Sequence, residues 1–448
     1  MDSQVSGSLP RARRAPVVDM LASYGAKIIG AALGLGNVLI VARVLGPDGR
    51  GSVAFVFATT LLVAQLASLG AHWAIPNLGV HDRSLLRVLT GNSVALSLVL
   101  GGSAVAVVGL MVRVFPAVGG HVDSGTRWIG LASVPVVILS YCLLMVAQSD
   151  YRFGFMNISM LLVPMTTLSV NSILAAVGAL SVRSVIVVWV IGQVFGLAVL
   201  VWCVHTHVAG FGRPDARVAA KMVGFGIKAH VGQMGMAGTY RLDQWLLGAI
   251  SGARALGLYS VAVAWAEVLF FLPEAVAMVQ RPDFVRASRK EAFRRAATAF
   301  RATVLITLVS TAFMVVAAPF LCTTIFGAAY SGSIRDLRIL ALGGCGIVAI
   351  KQLGVVLTTQ GKPLLETGAI LVALGATALA DLLLIPAHAD IGASIASTLS
   401  YSAGGVAMVV VFVRTLGGQA ADLVPRGTEL SWVFVKARAL ARRQPATG

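Results

Sequence analysis

The chain has 448 residues, of which 57% are hydrophobic and 12% are charged, and its formal net charge is +17. Soluble proteins carry about 25% charged residues, so this composition excludes an ordinary soluble protein and indicates one embedded in a membrane. Basic loops beside anionic lipids account for the positive charge, and no nucleic-acid partner is expected.

The apolar segments predict about twelve transmembrane helices, since roughly 20 residues of helix cross the hydrocarbon core. They are continuously apolar, whereas the strands of a barrel would alternate polar and apolar residues. The predicted fold class is therefore an all-α polytopic membrane protein. The predicted spans are residues 21–42, 52–69, 88–112, 128–148, 155–180, 184–204, 223–250, 256–279, 303–326, 337–360, 367–385 and 391–413.

The distribution of Lys and Arg between loops predicts the orientation. With the N-terminus inside, most basic residues fall on the cytoplasmic side, and both termini are cytoplasmic. Residues 1–16 and 415–448 are then basic cytoplasmic tails, the first of them disordered. Residues 281–301 form a basic cytoplasmic linker whose Arg spacing suits a helix lying on anionic lipid. The expected location is the cytoplasmic membrane.

The sequence offers no sign of ATP hydrolysis, metal binding or a cofactor. It contains no Walker A motif and no long segment outside the membrane that could form an ATPase domain. The four cysteines lie within or at the edges of spans, without the spacing of metal ligands. An ATP-driven pump in one chain is excluded, and an enzyme is not expected.

Two halves of six spans share short motifs. The first span opens with YGAK at 24–27 and the seventh with FGIK at 225–228. A glycine then precedes a proline at the same spacing in both halves, Gly51 before Pro76 and Gly257 before Pro282. Six spans per half preserve orientation, which predicts a parallel repeat with its axis along the membrane normal.

Two segments carry a family resemblance. ARVLGPDGRGSVAF at 42–55 resembles the first-loop signature of polysaccharide-unit flippases, and residues 240–284 resemble the seventh and eighth helices of the same family. These flippases belong to the MOP superfamily of multidrug, oligosaccharidyl-lipid and polysaccharide exporters. The resemblance implies two six-helix lobes, here 17–208 and 209–414, around a central cavity. It also implies alternating access with a lipid-linked sugar as cargo.

Three lysines are expected in the inner half of the membrane, Lys27, Lys228 and Lys351. Facing one cavity, they would form a cationic ring suited to a pyrophosphate, because ammonium groups bind phosphate oxygens without demanding one geometry. The alternative is that each lysine extends along its helix to reach the interface. Together with Arg241 they are the candidate substrate-binding residues.

Arg241 and Glu267 are predicted to reach similar depth on an antiparallel helix pair and to form an ion pair, which is structural or functional. Glu274 lies on roughly the same face as Glu267, while Asp243 faces elsewhere. The acids are also candidates for carrying a coupling proton. Asp381 is expected near the outer end of its helix, within reach of water.

The leading functional hypothesis is a flippase for a polyprenyl-pyrophosphate-linked oligosaccharide or polysaccharide precursor. One alternative is a cation-coupled exporter of drugs or other small molecules. Another is a non-transporting membrane component of a polysaccharide assembly complex. Expected partners are the lipid-linked sugar, anionic lipids, and glycosyltransferases or a polymerase of the same pathway.

Overall fold

The computed structural model describes residues 16–81, 85–116, 120, 122–208 and 210–426, and all regular structure in these ranges is helical. Residues 1–15 and 427–448, which make up most of the two predicted tails, lie outside the described residues. The all-α fold class predicted from the sequence is confirmed. Long apolar helices make the chain a multi-pass membrane protein.

The first half of the chain forms seven helices, two of which begin with a side-chain cap. Asp123 accepts a hydrogen bond from the Thr126 backbone, and Ser181 accepts one from the Ser184 backbone, so each satisfies a free N–H of a helix start. The helices are α1 Pro16–Ala67, α2 Ala71–His81, α3 Leu86–Val114, α4 Ser124–Ala132, α5 Val134–Ser149, α6 Phe153–Ala176 and α7 Val182–Cys203.

The second half also contains seven helices. A 3₁₀ turn, Glu267–Phe270, joins the second of these helices to the third, so the two form one nearly continuous span. The helices are α8 Ala216–Ile250, α9 Gly252–Ala266, α10 Phe271–Arg286, α11 Arg289–Pro319, α12 Ser333–Leu342, α13 Gly344–Thr359 and α14 Pro363–Leu416.

The number of spans depends on how broken helices are counted. By length and apolar composition, 8 helices of the described residues could cross a membrane, or 9 if the bent pair α12 and α13 is one span. Helices α1 and α14 each join two helices across a kink, at Gly46 (φ 67°) and Ala389 (φ 47°). If each kinked helix is counted as two spans and α8 is added, the count reaches the expected twelve. Because this count depends on these choices, twelve spans stay a prediction.

The segment 281–301 forms parts of two helices rather than one, and its expected contact with anionic lipid stays a prediction. Helix α10 ends at Arg286, and α11 begins at Arg289 after Ser288, whose side chain accepts a hydrogen bond from the Glu291 backbone. Phe293 of α11 is buried, and its ring stacks on that of Phe412. Because this face packs against α14, the start of α11 belongs to the protein core.

Helices α1–α7 pack mainly with one another, as do α8–α14. The two groups meet where α1 runs along α8 and α9 and where α2 packs on α8. We refer to them as the first and second helix groups. The domain boundary at 208/209 stays a prediction.

Candidate transport path

Two glycines bring the helix groups into backbone contact at one end of the molecule. A methyl group added at Gly51 would collide with the Ala253 carbonyl, and one added at Gly257 would collide with the Pro47 carbonyl. These glycines hold matching positions in the sequence repeat, and the fold places them against each other. We call this contact the Gly51 closure.

Side chains reinforce the Gly51 closure. The Arg43 guanidinium donates hydrogen bonds to the carbonyls of Thr324 (2.9 Å) and Ile325 (2.7 Å). The Tyr330 hydroxyl donates to the Ala42 carbonyl at 3.0 Å. All three bonds join the first helix group to the second, so this end of the path is shut.

A second contact, the Gly70 closure, shuts the other end. Gly70 (φ 67°) fits against the Gly226 carbonyl, and a Cβ at Gly70 would lie 2.6 Å from that oxygen. The chain from Gly51 to Gly70 is mostly helical and, at about 1.5 Å per residue, is roughly 28 Å long. This length is close to the hydrocarbon thickness of about 30 Å, so the two closures lie near opposite faces of the membrane.

Between the closures, beside Gly51, lies a cavity of about 170 Å³ with walls from both helix groups. It contains the predicted ion pair: Arg241 Nη1 lies 3.1 Å from Glu267 Oε1. About a third of each side chain is exposed. Arg50 contributes a second guanidinium to the same cavity, so we call these three residues the Arg cluster.

Arg50 is the residue that sequence reasoning missed, because it was assigned to an outer loop. It is 8% exposed and forms no ion pair or hydrogen bond with any described residue. The amide nitrogen of Gln244, in the same cavity, also lacks an acceptor among the described residues. The cavity therefore presents buried donors that an anionic, acceptor-rich molecule would satisfy.

A second cavity, of about 350 Å³, lies next along α8, and its charged lining residues are Glu274, Lys351 and Glu366. With Lys27, which bonds to Glu274, the first two form the Lys cluster. Here Glu274 accepts hydrogen bonds from two lysines, Lys27 of the first helix group and Lys351 of the second, the latter at 2.9 Å. Lys351 also lies 6.0 Å from the ring centres of Tyr240 and Phe270. The structure thus brings two of the three predicted lysines together, each against a carboxylate rather than extended to the interface.

The third predicted lysine is placed differently. Lys228 is exposed and forms no ion pair with a described residue. If Gly51 corresponds to Gly257 in the repeat, then Ser68 corresponds to Glu274. The first half therefore has no acid at the position where a second, matching cluster would need one. The substrate role of Lys228 stays a prediction.

The two clusters follow one another along the same helices. On α8 the order is Gly226 at one closure, the Lys cavity up to Tyr240, then Arg241. On the facing span, Glu267 and Glu274 are roughly 10 Å apart along the helix axis. A cargo anion moving between the closures would therefore meet both clusters in turn.

A pair of buried acids lies inside the second helix group. Asp243 accepts hydrogen bonds from the hydroxyls of Tyr259 and Ser397, the latter at 3.0 Å, so it does not pair with Arg241. Asp381 is 0% exposed, and neither carboxylate oxygen has a partner among the described residues. The expectation that Asp381 reaches water is wrong, because α14 packs along α8 and buries Asp381.

Comparisons with known proteins agree with this architecture. The model of a family described as "Polysaccharide biosynthesis protein" matches residues 40–335. The lipid II flippase MurJ in an inward closed conformation is similar at a TM-score of 0.74 and 12% identity, over 96% of this chain and 94% of that one. None of the curated proteins matches the sequence significantly.

MATE multidrug transporters of the MOP superfamily have the same fold. An inward-facing structure gives a TM-score of 0.69 at 13% identity, over 96% of this chain and 100% of the other. An outward-facing structure gives 0.62 at 14% identity, over 90% and 97%. At these identities the similarity concerns the fold and does not identify the cargo.

Proposed function

The chain belongs to the polysaccharide biosynthesis protein family, and we propose that it is a flippase for a polyprenyl-pyrophosphate-linked sugar. In this proposal the sugar and its phosphates cross inside the protein while the lipid tail stays in the bilayer. The protein catalyses no covalent reaction. The residues that bind the cargo are those of the Lys and Arg clusters.

The observation that carries this proposal is the buried guanidinium of Arg50, in a cavity between the helix groups, whose Nε has no hydrogen-bond partner among the described residues. A buried charge without a counter-ion destabilises a protein, so such a residue is typical of a site that receives its counter-ion from a ligand. With Arg241 and Glu267 it gives the empty cavity a net positive charge. A pyrophosphate matches that charge and can accept bonds from both guanidinium groups.

The clusters suggest an order of events. With the cytoplasmic termini favoured by the basic loops, the Gly70 closure lies on the cytoplasmic side and the Gly51 closure on the outer side. The cargo phosphate enters at the Lys cluster and passes to the Arg cluster before the Gly51 closure opens. The Tyr240 hydroxyl, which is buried without a hydrogen-bond partner among the described residues, lies between the two and can bond a sugar or phosphate oxygen.

The buried acids offer a binding site through which an ion gradient drives this cycle. Asp381 has two carboxylate oxygens with no described partner, and its charge interacts with that of Asp243. A proton or a monovalent cation bound between them would remove the electrostatic repulsion. Asp381→Asn should leave the protein folded and make transport independent of the ion gradient, measured in vesicles with and without an imposed gradient.

The proposed setting is the cytoplasmic membrane, near anionic lipids and the glycosyltransferases or polymerase of the same pathway. The Arg cluster argues against an exporter of cationic drugs, because its net positive charge would repel such substrates.

Depletion of the protein in its host tests the function directly. Lipid-linked sugar should accumulate on the cytoplasmic face while surface glycan falls, and wild type but not Arg50→Gln should reverse both changes. Arg113→Gln is the matched control, because Arg113 is exposed and lies outside both cavities. An unchanged lipid-linked pool with dye efflux lost would instead identify a small-molecule exporter.

A further inference from the structure

Glu274 occupies an unusual position, because one carboxylate serves two lysines from different helix groups. One oxygen accepts a hydrogen bond from Lys27 on α1, and the other accepts one from Lys351 on α13 at 2.9 Å. Nearby, the Tyr24 hydroxyl of α1 donates to the Phe271 carbonyl of α10 at 2.6 Å. The carboxylate therefore links the two helix groups on the Gly70 side of the path.

The same carboxylate occupies the place of a ligand. Its side chain is 36% exposed and borders the larger cavity, and the two lysines are 38% and 18% exposed. Two ammonium groups that converge on two oxygens of one anion form the arrangement that a phosphate group would also satisfy. The site is thus an anion site already filled by the protein's own side chain.

We propose that Glu274 is a resident competitor for the cargo anion. In the empty protein it neutralises one positive charge of the Lys27–Lys351 pair and holds the helix groups together. A pyrophosphate, which carries more than one negative charge, displaces it, whereas an anion with one charge has no electrostatic advantage over it. Displacement removes the Lys27–Glu274 link, so the arrival of the correct cargo loosens the Gly70 side.

This inference rests on the proposed function for the identity of the cargo, but its anion chemistry can be measured separately. The probes are inorganic pyrophosphate and acetate, added to the purified full-length protein in detergent and followed by titration calorimetry. Removing one negative charge about 4 Å from a bound anion is worth about 1 kcal/mol or more, or about fivefold or more in Kd.

Glu274→Gln should therefore bind pyrophosphate at least about fivefold more tightly than the wild type, and the wild type should bind acetate more weakly than pyrophosphate. Lys351→Gln should bind pyrophosphate more weakly than the wild type. Glu291→Gln is the matched control, because Glu291 pairs with Arg295 outside both cavities, and its affinity should equal that of the wild type. Equal or weaker pyrophosphate binding by a folded Glu274→Gln overturns the proposal.

A second measurement follows the link between the helix groups. Spin labels at Leu66→Cys on α1 and Lys228→Cys on α8, with the native cysteines replaced, report the distance across the Gly70 side. Pyrophosphate should lengthen it in the wild type, and Glu274→Gln should be lengthened without pyrophosphate. An unchanged distance in both overturns the proposal. If Glu274→Gln fails to fold, Glu274→Asp replaces it, and its shorter carboxylate should give a smaller gain in affinity; no gain overturns the proposal.

The two proposals fail in different ways. If Glu274→Gln tightens pyrophosphate binding but the wild type moves no lipid-linked sugar, the competitor role holds and the flippase function falls. If lipid-linked sugar moves normally and Glu274→Gln binds pyrophosphate no more tightly, the flippase function holds and the competitor role falls.

Discussion

The Lys and Arg clusters lie in succession on one path but differ in how their charge is balanced. In the Lys cluster, Glu274 bonds to both lysines, and the groups are between 18% and 38% exposed. In the Arg cluster, Glu267 pairs with Arg241 only, and the 8%-exposed Arg50 has no described partner. In the Lys cluster the charges are already paired, and the cargo must break these pairs to bind. In the Arg cluster Arg50 has no described partner, and the cargo would supply one.

This difference predicts which residues control stability and which control transport. A paired group on a partly exposed site contributes little to transport affinity, because solvent screens it and its own partner competes. A buried, unpaired guanidinium lowers stability in the empty protein and gains most from the cargo. Arg50 should therefore be the most sensitive position for transport and the least sensitive for folding.

The largest effect is expected from Arg50→Gln. Transport of lipid-linked sugar into the outer leaflet should fall at least about 30-fold, because truncating a buried charge contact costs about 2 kcal/mol or more. The free energy of unfolding should stay equal or rise, since an uncompensated charge is removed. A flipping assay and a thermal unfolding curve measure the two quantities, and a variant that loses stability along with transport would mean that Arg50 is structural.

Gly51→Ala should have the next largest effect, because its methyl group would collide with the Ala253 carbonyl. Forcing extra atoms into packed structure costs about 1–3 kcal/mol, here at the expense of the closed state. Asp48 and Arg254 form an exposed ion pair, so a disulfide between Asp48→Cys and Arg254→Cys reports how often this end of the path is closed. Adding Gly51→Ala should slow the formation of this disulfide about tenfold or more. Gly34→Ala, with no atom within 4 Å of the added methyl, is the control and should leave the rate unchanged.

Changes to the Arg241–Glu267 pair should have a moderate effect, and they distinguish a structural role of the pair from a role in transport. Each single change, Arg241→Gln or Glu267→Gln, should lower the free energy of unfolding by about 1–2 kcal/mol, less than for a fully buried pair because a third of each side chain is exposed. The double variant should regain stability but not transport. Strictly additive losses in this cycle would show that the pair contributes no interaction energy.

The smallest effect is expected in the Lys cluster. Lys27→Gln should reduce transport about threefold to fivefold, since an exposed ion pair is worth about 1 kcal/mol or less. Lys228→Gln, on the exposed surface of α8, should change transport less than twofold. Equal losses in the two variants would favour the symmetric ring of lysines over the Glu274-centred cluster.

The amino-acid sequence alone predicts the membrane class, the approximate helical spans and the Arg241–Glu267 pair. These follow from local rules: apolar length, and the equal depth of two positions on an antiparallel hairpin. It also indicated the repeat-related glycines that meet in the Gly51 closure, because a close backbone approach requires a residue without a side chain.

How the charged side chains pair depends on the packing of the helices. Arg50 lies between the first two predicted spans in the sequence, but the contact of Gly51 with Ala253 draws it into the cavity between the helix groups. Asp381 is buried because α14 packs along α8, and Lys351 joins Lys27 because both reach Glu274 from different groups. Depth along a helix can be read from the sequence, but the neighbour that a side chain meets depends on how the helices pack.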